Sequence, residues 1–264
     1  MVARSGAPPR SRERSVDLYL HALLLLTDRG QPADTGDLAE RVGVSPASAS
    51  RMLKNLARKK LVRLEPYQGA ELTAEGMHRA LRVVRRHRLI EVFLHNVMAF
   101  DLGELHRRAL LMQPTVDEVF EEKLDAMLGH PTIDPHGQPI PGKNVSWPRM
   151  SDSVLLELPA GTSGNVSRVT SEDAGAIEYL EGLGVRAGAA IVLDGVSPFD
   201  GPVAVRVGGH ACHLGRRLAQ LIHIENAGRP QNGPGERQRL GHKPELGARP
   251  GLSAGSRGQP RRHG

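Results

Sequence analysis

The sequence predicts a mainly α chain with a small β domain at its end, built around a winged helix-turn-helix. Three observations carry this. Thr35 to Gly76 reads as two helices across a glycine turn, followed by a hairpin. Ala74 to Leu128 holds long amphipathic patterns of helical period. From Ser153 the texture changes to short apolar runs punctuated by glycine and proline, the rhythm of a small β-barrel of about 70 residues.

Taken in order, Ser15 can cap a first helix, Val16–Arg29, that ends at Gly30. Asp37–Val42 places Leu38, Ala39 and Val42 at helical spacing, and Gly43 breaks it as a left-handed turn requires. Ser45 then caps a second helix, Pro46–Lys60, with Pro46 at the position where its missing N–H costs nothing. This helix turns Ala49, Met52, Leu53 and Leu56 inward. Its other face starts small and hydroxylated and becomes cationic, which suits a helix entering a major groove. Ser45, Ala47, Ser48 and Ser50 would meet DNA backbone or a thymine methyl. Arg51 would read a base, most simply guanine, and Lys54, Arg58 and Lys60 would supply phosphate charge. Leu61–Leu64 and Ala70–Thr73 flank Glu65-Pro66-Tyr67-Gln68-Gly69 as the wing. The bland alternative is a helical pair with a solvated charged face. The unit spans residues 15–76.

Residues 77–148 form a helical unit. Thr73 caps a helix from Ala74 to about Ala99, Asp101–Leu111 is another, and Pro114–Leu128 a third, opened by the capping box Thr115-Val116-Asp117-Glu118. Their apolar content exceeds the need of one small bundle, so a dimer interface is the natural use, against a monomeric bundle. Gly129–Gly142 reads as an extended surface segment from its proline and glycine density. In residues 153–226 the strand candidates are Val154–Leu158, Gly164–Val169, Ala189–Leu193, Val203–Val207 and Leu221–Ile224. A short helix, Ser171–Leu183, lies among them.

The overall charge of +6 is unevenly spread. Residues 1–14 carry Arg4, Arg10, Arg12 and Arg14 against Glu13, and residues 228–264 carry seven arginines and one lysine against two glutamates. The chain between them is therefore net acidic. Both ends, 1–14 and 227–264, are too polar to bury a core and read as disordered basic arms. They either add non-specific DNA affinity or serve as solvated tails. A single cysteine, Cys212, excludes an internal disulfide and fits a reducing cytoplasm. The apolar run Leu23–Leu26 is far too short to span a bilayer. Three Tyr, four Phe and one Trp offer few stacking platforms, which favours a duplex over single-stranded nucleic acid.

His87 and Glu91 are four apart and project from one helical face, and His106 on the next helix can join them. Two imidazoles and a carboxylate suit Fe2+ or Mn2+. The bland alternative is an ion pair beside an unrelated histidine. His210-Ala211-Cys212-His213, with His223 nearby, is better read as ordinary strand residues, because alternate side chains face opposite ways. His136 reads as part of a structural turn. No nucleophile triad, phosphate loop or paired catalytic carboxylate stands out.

Four stretches in order resemble the diphtheria-toxin-repressor and manganese-transport-regulator family of metal-dependent transcriptional repressors. They are Ser15–Leu20, the His87-Arg88-Leu89-Ile90-Glu91 motif, the connector Asp134-Pro135-His136-Gly137-Gln138-Pro139-Ile140-Pro141-Gly142, and Ala160–Ile224 with Ser197-Pro198-Phe199-Asp200-Gly201-Pro202. The resemblance implies an SH3-like C-terminal domain of the kind shared with iron-transport accessory proteins. It implies an ancillary metal site at His87, Glu91 and His106, completed in some members by a carboxylate from the last domain, here Glu172 or Asp173. It also implies a primary corepressor site, but Leu18, Leu110, Gln113 and Pro114 stand at its positions and give a hard cation nothing to bind. The metal switch of the first helix would then be lost, with Leu18 and Leu110 packed together instead, unless Asp17, His21 or His95 replaces the missing ligands.

The expected protein is a cytoplasmic homodimeric regulator on an inverted-repeat operator. One rival is a regulator of the same fold that is metal-independent or answers another ligand. A second is a metallohydrolase using His87, Glu91 and His106, and a third is an interaction module built on the barrel.

Overall fold

The computed structural model describes residues 9–27, 30–65, 68–147 and 150–228. Helix α1 (Pro9–Thr27) begins six residues before Ser15. The expected disordered arm is therefore helical from Pro9 onward. Pro9 sits where a helix needs no N–H, and Arg10 to Arg14 contain neither glycine nor a β-branched residue to stop it. Residues 1–8 lie outside the described part.

Helix α2 (Thr35–Val42) starts two residues earlier than expected, because Asp34 accepts from the Gly36 amide. Gly43 ends it at φ 71°. Helix α3 (Pro46–Arg58) is capped by Ser45, whose Oγ accepts from Ser48 N at 3.3 Å. It stops before Lys60, which turns left-handed at φ 60°. Strands β1 (Val62–Glu65) and β2 (Gly69–Leu72) form the antiparallel wing, with Val62 opposite Leu72. Pro66 and Tyr67 of its tip lie outside the described residues. One core binds this unit, with Leu20, Leu23, Leu38, Leu53, Leu56 and Ala70 buried in it.

Helix α4 (Ala74–Asn96) is capped by Thr73 and lays its first turn on the wing. Leu81 and Val84 join the DNA-unit core, while Leu89, Ile90 and Val92 belong to the next one. Helix α5 (Leu102–Met112) is followed by a 3-10 turn, Gln113–Thr115, and helix α6 (Glu118–Met127). The expected cap at Thr115 is corrected. Asp117 accepts from Phe120 N at 2.8 Å, and the Thr115 hydroxyl turns back to the Met112 carbonyl. Pro114 has no N–H to continue α5 and clashes with an α-helical predecessor, so the chain tightens and restarts later.

The connector is not a solvated surface segment. Asp134, His136 and Ile140 are buried. Arg85 donates to the Pro141 carbonyl at 2.8 Å, and Arg88 donates to the Pro139 carbonyl and to Gln138. Asp134 Oδ1 accepts from the amides of His136 and Gln138, and His136 O accepts from Val169 N. With the Pro139 and Pro141 carbonyls met by two buried arginines and Asp134 by backbone amides, the segment can leave water.

The rest of the described chain is a sheet domain. Its elements are β3 (Ser153–Val154), β4 (Ser163–Val169), α7 (Ala174–Gly182), β5 (Ala190–Val196), β6 (Val203–Val207), β7 (His210–Leu214), α8 (Arg216–Ala219) and β8 (Ile222–Gly228). The six-stranded antiparallel order is β3-β8-β4-β5-β6-β7. The strand expected at Val154–Leu158 shrinks to two residues and passes into a 3-10 turn that buries Leu155. Strand β8 runs to Gly228, past the expected start of the tail at residue 227, because its pairing with β4 continues to Ser163 opposite Gly228. The tail from residue 229 lies outside the described residues. Ile177 of α7 enters the core formed by α4 and α5, so this domain docks on the helical unit.

Candidate metal centre and nucleic-acid face

The groove face of α3 is built by capping and burial. Ser45 fixes the start of the helix, and Ala49, Leu53 and Leu56 anchor one side in the core. Ala47, Arg51, Lys54 and Arg58 are left exposed on the other, with Ser48 and Ser50 half-buried at the edge. Ser45 Oγ and Ser48 Oγ lie 3.0 Å apart. Lys60 is exposed but stands past the helix end, beside the wing.

The metal-ligating candidates come together from separate helices. His87 and Glu91 share one face of α4, and His106 faces them from α5. One donor atom from each lies within 4.8 Å of the others. His87 Nε2 is 3.0 Å from Glu91 Oε1 and 3.1 Å from His106 Nδ1. All three sit at the end of a cavity of about 260 Å³. Of the two carboxylates named from the β domain, Glu172 reaches this cavity, its Oε2 lying 3.9 Å from His106 Nε2. Asp173 does not line that cavity; its Oδ1 caps α7 by accepting from Ala176 N at 2.7 Å. A helix start consumes that carboxylate because its first amides have no other partner.

Three further residues belong to the site. His21 of α1 is buried with its ring 5.0 Å from that of His87, and its Nε2 is 3.8 Å from Glu172 Oε1. The signal in the sequence was a single histidine inside the apolar run of the first helix. Gln113, expected to be an empty ligand position, is buried and accepts at Oε1 from Nδ1–H of His87 at 3.2 Å. That bond fixes the ring, so that the proton Nε2 shares with Glu91 is the one a metal ion would displace. His136 lines the cavity too, and its buried Nε2 has no hydrogen-bond partner. Leu18 lines a groove with Val42, Val44 and Met52, and it shares no apolar cluster with Leu110 among the described residues.

The electrostatics follow from burial and neighbours. Burial pulls the His87 pKa down, but the Glu91 charge and hydrogen bond outweigh it and leave the group raised. Burial pushes Glu91 up, yet the same partner leaves it well below the ordinary carboxylate range. Burial dominates at His21, His106 and His136 and lowers all three. His106 and the ionised Glu91 are thus in the forms that bind a divalent cation, and His87 would give up its proton on binding. The buried donor set, with an orphaned imidazole nitrogen at its edge, fits Fe2+ or Mn2+. No helix among the described residues is long and apolar enough to cross a membrane.

Comparison with known proteins agrees with this layout. Residues 13–70 match the family described as iron dependent repressor, N-terminal DNA binding domain. Residues 73–142 match iron dependent repressor, metal binding and dimerisation domain, and residues 154–226 match the FeoA domain. The iron-dependent repressor of Mycobacterium leprae is 26% identical over 223 residues, covering 80% of this chain and 96% of that one. The diphtheria toxin repressor of Corynebacterium efficiens is 26% identical over 221 residues, covering 80% and 95%. A manganese-dependent transcriptional repressor solved in complex with manganese superposes with a TM-score of 0.72 at 32% identity, covering 79% of this chain and 98% of that one. The DNA-binding, metal-binding and dimerisation, and FeoA domain matches thus follow one another along the chain as its described units do, and the chain belongs to the family of metal-dependent transcriptional repressors.

Proposed function

We propose that this repressor binds an inverted-repeat operator as a homodimer and that Fe2+ or Mn2+ held by His87, Glu91, His106 and Glu172 controls the binding. The observation that carries the reading is the meeting of two buried donors from α4 and a half-buried one from α5 with Glu172 of the β domain and His21 of α1 around one cavity. An ion there supplies positive charge to a junction of all three units. The residues do the rest. Gln113 orients His87, α3 presents Arg51 and its hydroxyl-rich start to the groove, and Lys54, Arg58 and Lys60 face phosphates. Leu111, Val119, Phe120 and Met127 are exposed on α5 and α6 and offer a second copy its apolar contact.

This reading departs from the expected lost switch, for which Leu18, Leu110, Gln113 and Pro114 argue, because it takes His21 as a donor that the first helix brings to the remaining site. The metallohydrolase reading is disfavoured by the burial of His87 and Glu91, 2% and 3% exposed, which suits a closed centre rather than one open to a substrate. In this reading the protein acts on DNA in the cytoplasm. Operator affinity measured with Mn2+ and with chelator tests the reading. Mn2+ should raise affinity about tenfold or more, a coupling of about 1.4 kcal/mol, and His87→Ala should lose the gain. Equal affinity in both conditions would show a metal-independent regulator.

A further inference from the structure

Glu172 stands where three parts of the chain meet. It lies just before α7, in the β domain. Its Oε2 forms an ion pair with Arg41 Nη2 of α2 at 2.8 Å and lies 3.9 Å from His106 Nε2 of α5. Its Oε1 lies 3.8 Å from His21 Nε2 of α1. Two helices of the DNA-binding unit therefore reach the same carboxylate that borders the metal cluster.

A free glutamate at this place would sample many rotamers, and an ion would have to order it. Arg41 does that in advance by fixing one oxygen, which leaves the other lone pairs of the carboxylate for the cavity. We propose that Arg41 is a positioning residue of the metal centre, and that through Glu172 it makes α2 of the helix-turn-helix part of what the ion orders. The inference rests on metal binding at His87, Glu91 and His106.

Magnitudes separate this role from a plain surface ion pair. The Arg41 and Glu172 side chains are each 28% exposed, so as a stabilising pair they contribute little. As an outer partner that orients a ligand, such a residue changes metal affinity by about 10- to 100-fold. Sequence spacing could not indicate the pair, because 131 positions separate its members.

The test is Mn2+ titration calorimetry on the full chain, with hydrogen exchange of α2 measured with and without Mn2+. Arg41→Ala should weaken Mn2+ binding about tenfold. Arg41→Lys should recover part of the loss, and apo thermal stability should hardly change. Glu172→Gln should weaken binding to a similar degree, and the double variant should bind no worse than Glu172→Gln alone. Mn2+ should protect α2 amides in the wild type and not in Arg41→Ala. If Arg41→Ala binds Mn2+ as tightly as the wild type, or more tightly, the proposal is overturned while the metal centre stands. If the wild type shows no His87-dependent Mn2+ binding, the metal reading falls and this proposal falls with it.

Discussion

Arg51→Ala isolates base reading from folding. Arg51 lies on the exposed face of α3, six residues after the Ser45 cap, and makes no hydrogen bond or ion pair within the chain among the described residues. Its neighbours Ala49 and Leu53 hold the helix in the core without it. The substitution should therefore change stability by less than about 0.5 kcal/mol. An arginine paired with guanine contributes about 1–3 kcal/mol of discrimination. A dimer presents it twice, so loss of both contacts costs about 2–6 kcal/mol on the preferred operator, or roughly 30-fold to more than 10⁴-fold. Affinity for unrelated duplex should fall far less, since one phosphate-range charge per protomer is removed. The assay is selection of binding sites from random duplex by wild type and variant, followed by anisotropy titration on the selected and a scrambled sequence. The variant should accept any base at one position per half-site. If both proteins select the same sequence with the same stringency, Arg51 does not read a base and the face of α3 has been assigned wrongly.

Gly76→Ala would drive a Cβ into the Leu61 carbonyl oxygen, a backbone atom that cannot step aside. The first turn of α4 must then lift off the wing, at a cost of about 3 kcal/mol in urea unfolding; a variant as stable as the wild type refutes the close approach. Gln113→Leu removes the acceptor of His87 Nδ1–H and should lower metal affinity about 10- to 100-fold in competition with a chelating dye, whereas unchanged affinity counts against that bond fixing the ring. His21 is held neutral by burial and by neighbouring cationic groups, its pKa well below the ordinary value. Unfolding then takes up a proton below about pH 6.5, so its contribution to stability is lost as pH falls through that point. The apo protein should show a shallower fall in stability from about pH 6.5 to 5 in His21→Gln than in the wild type, and equal slopes would contradict the assignment.

The sequence by itself determined the elements whose cause is local. A glycine that must turn left-handed, a serine followed by proline, and apolar residues at helical spacing are enough to place α2 and α3, and alternation with glycine and proline is enough to place β4, β5 and β6. The pairing of His87 with Glu91 was legible for the same reason, since four residues along a helix are one turn apart. His106 could be named from the next helix, but not its distance. Elements decided by distant partners were misread. The connector reads as a surface loop until Arg85 and Arg88 satisfy its carbonyls. His21, Gln113 and Arg41 became parts of the site only in the tertiary structure, because their partners lie 66, 26 and 131 positions away in the chain. Local patterning records which groups must be buried or capped. Which of them then face one another is fixed by the packing of α1, α4 and α5 against the β domain, where a buried polar group has to find a partner or an ion.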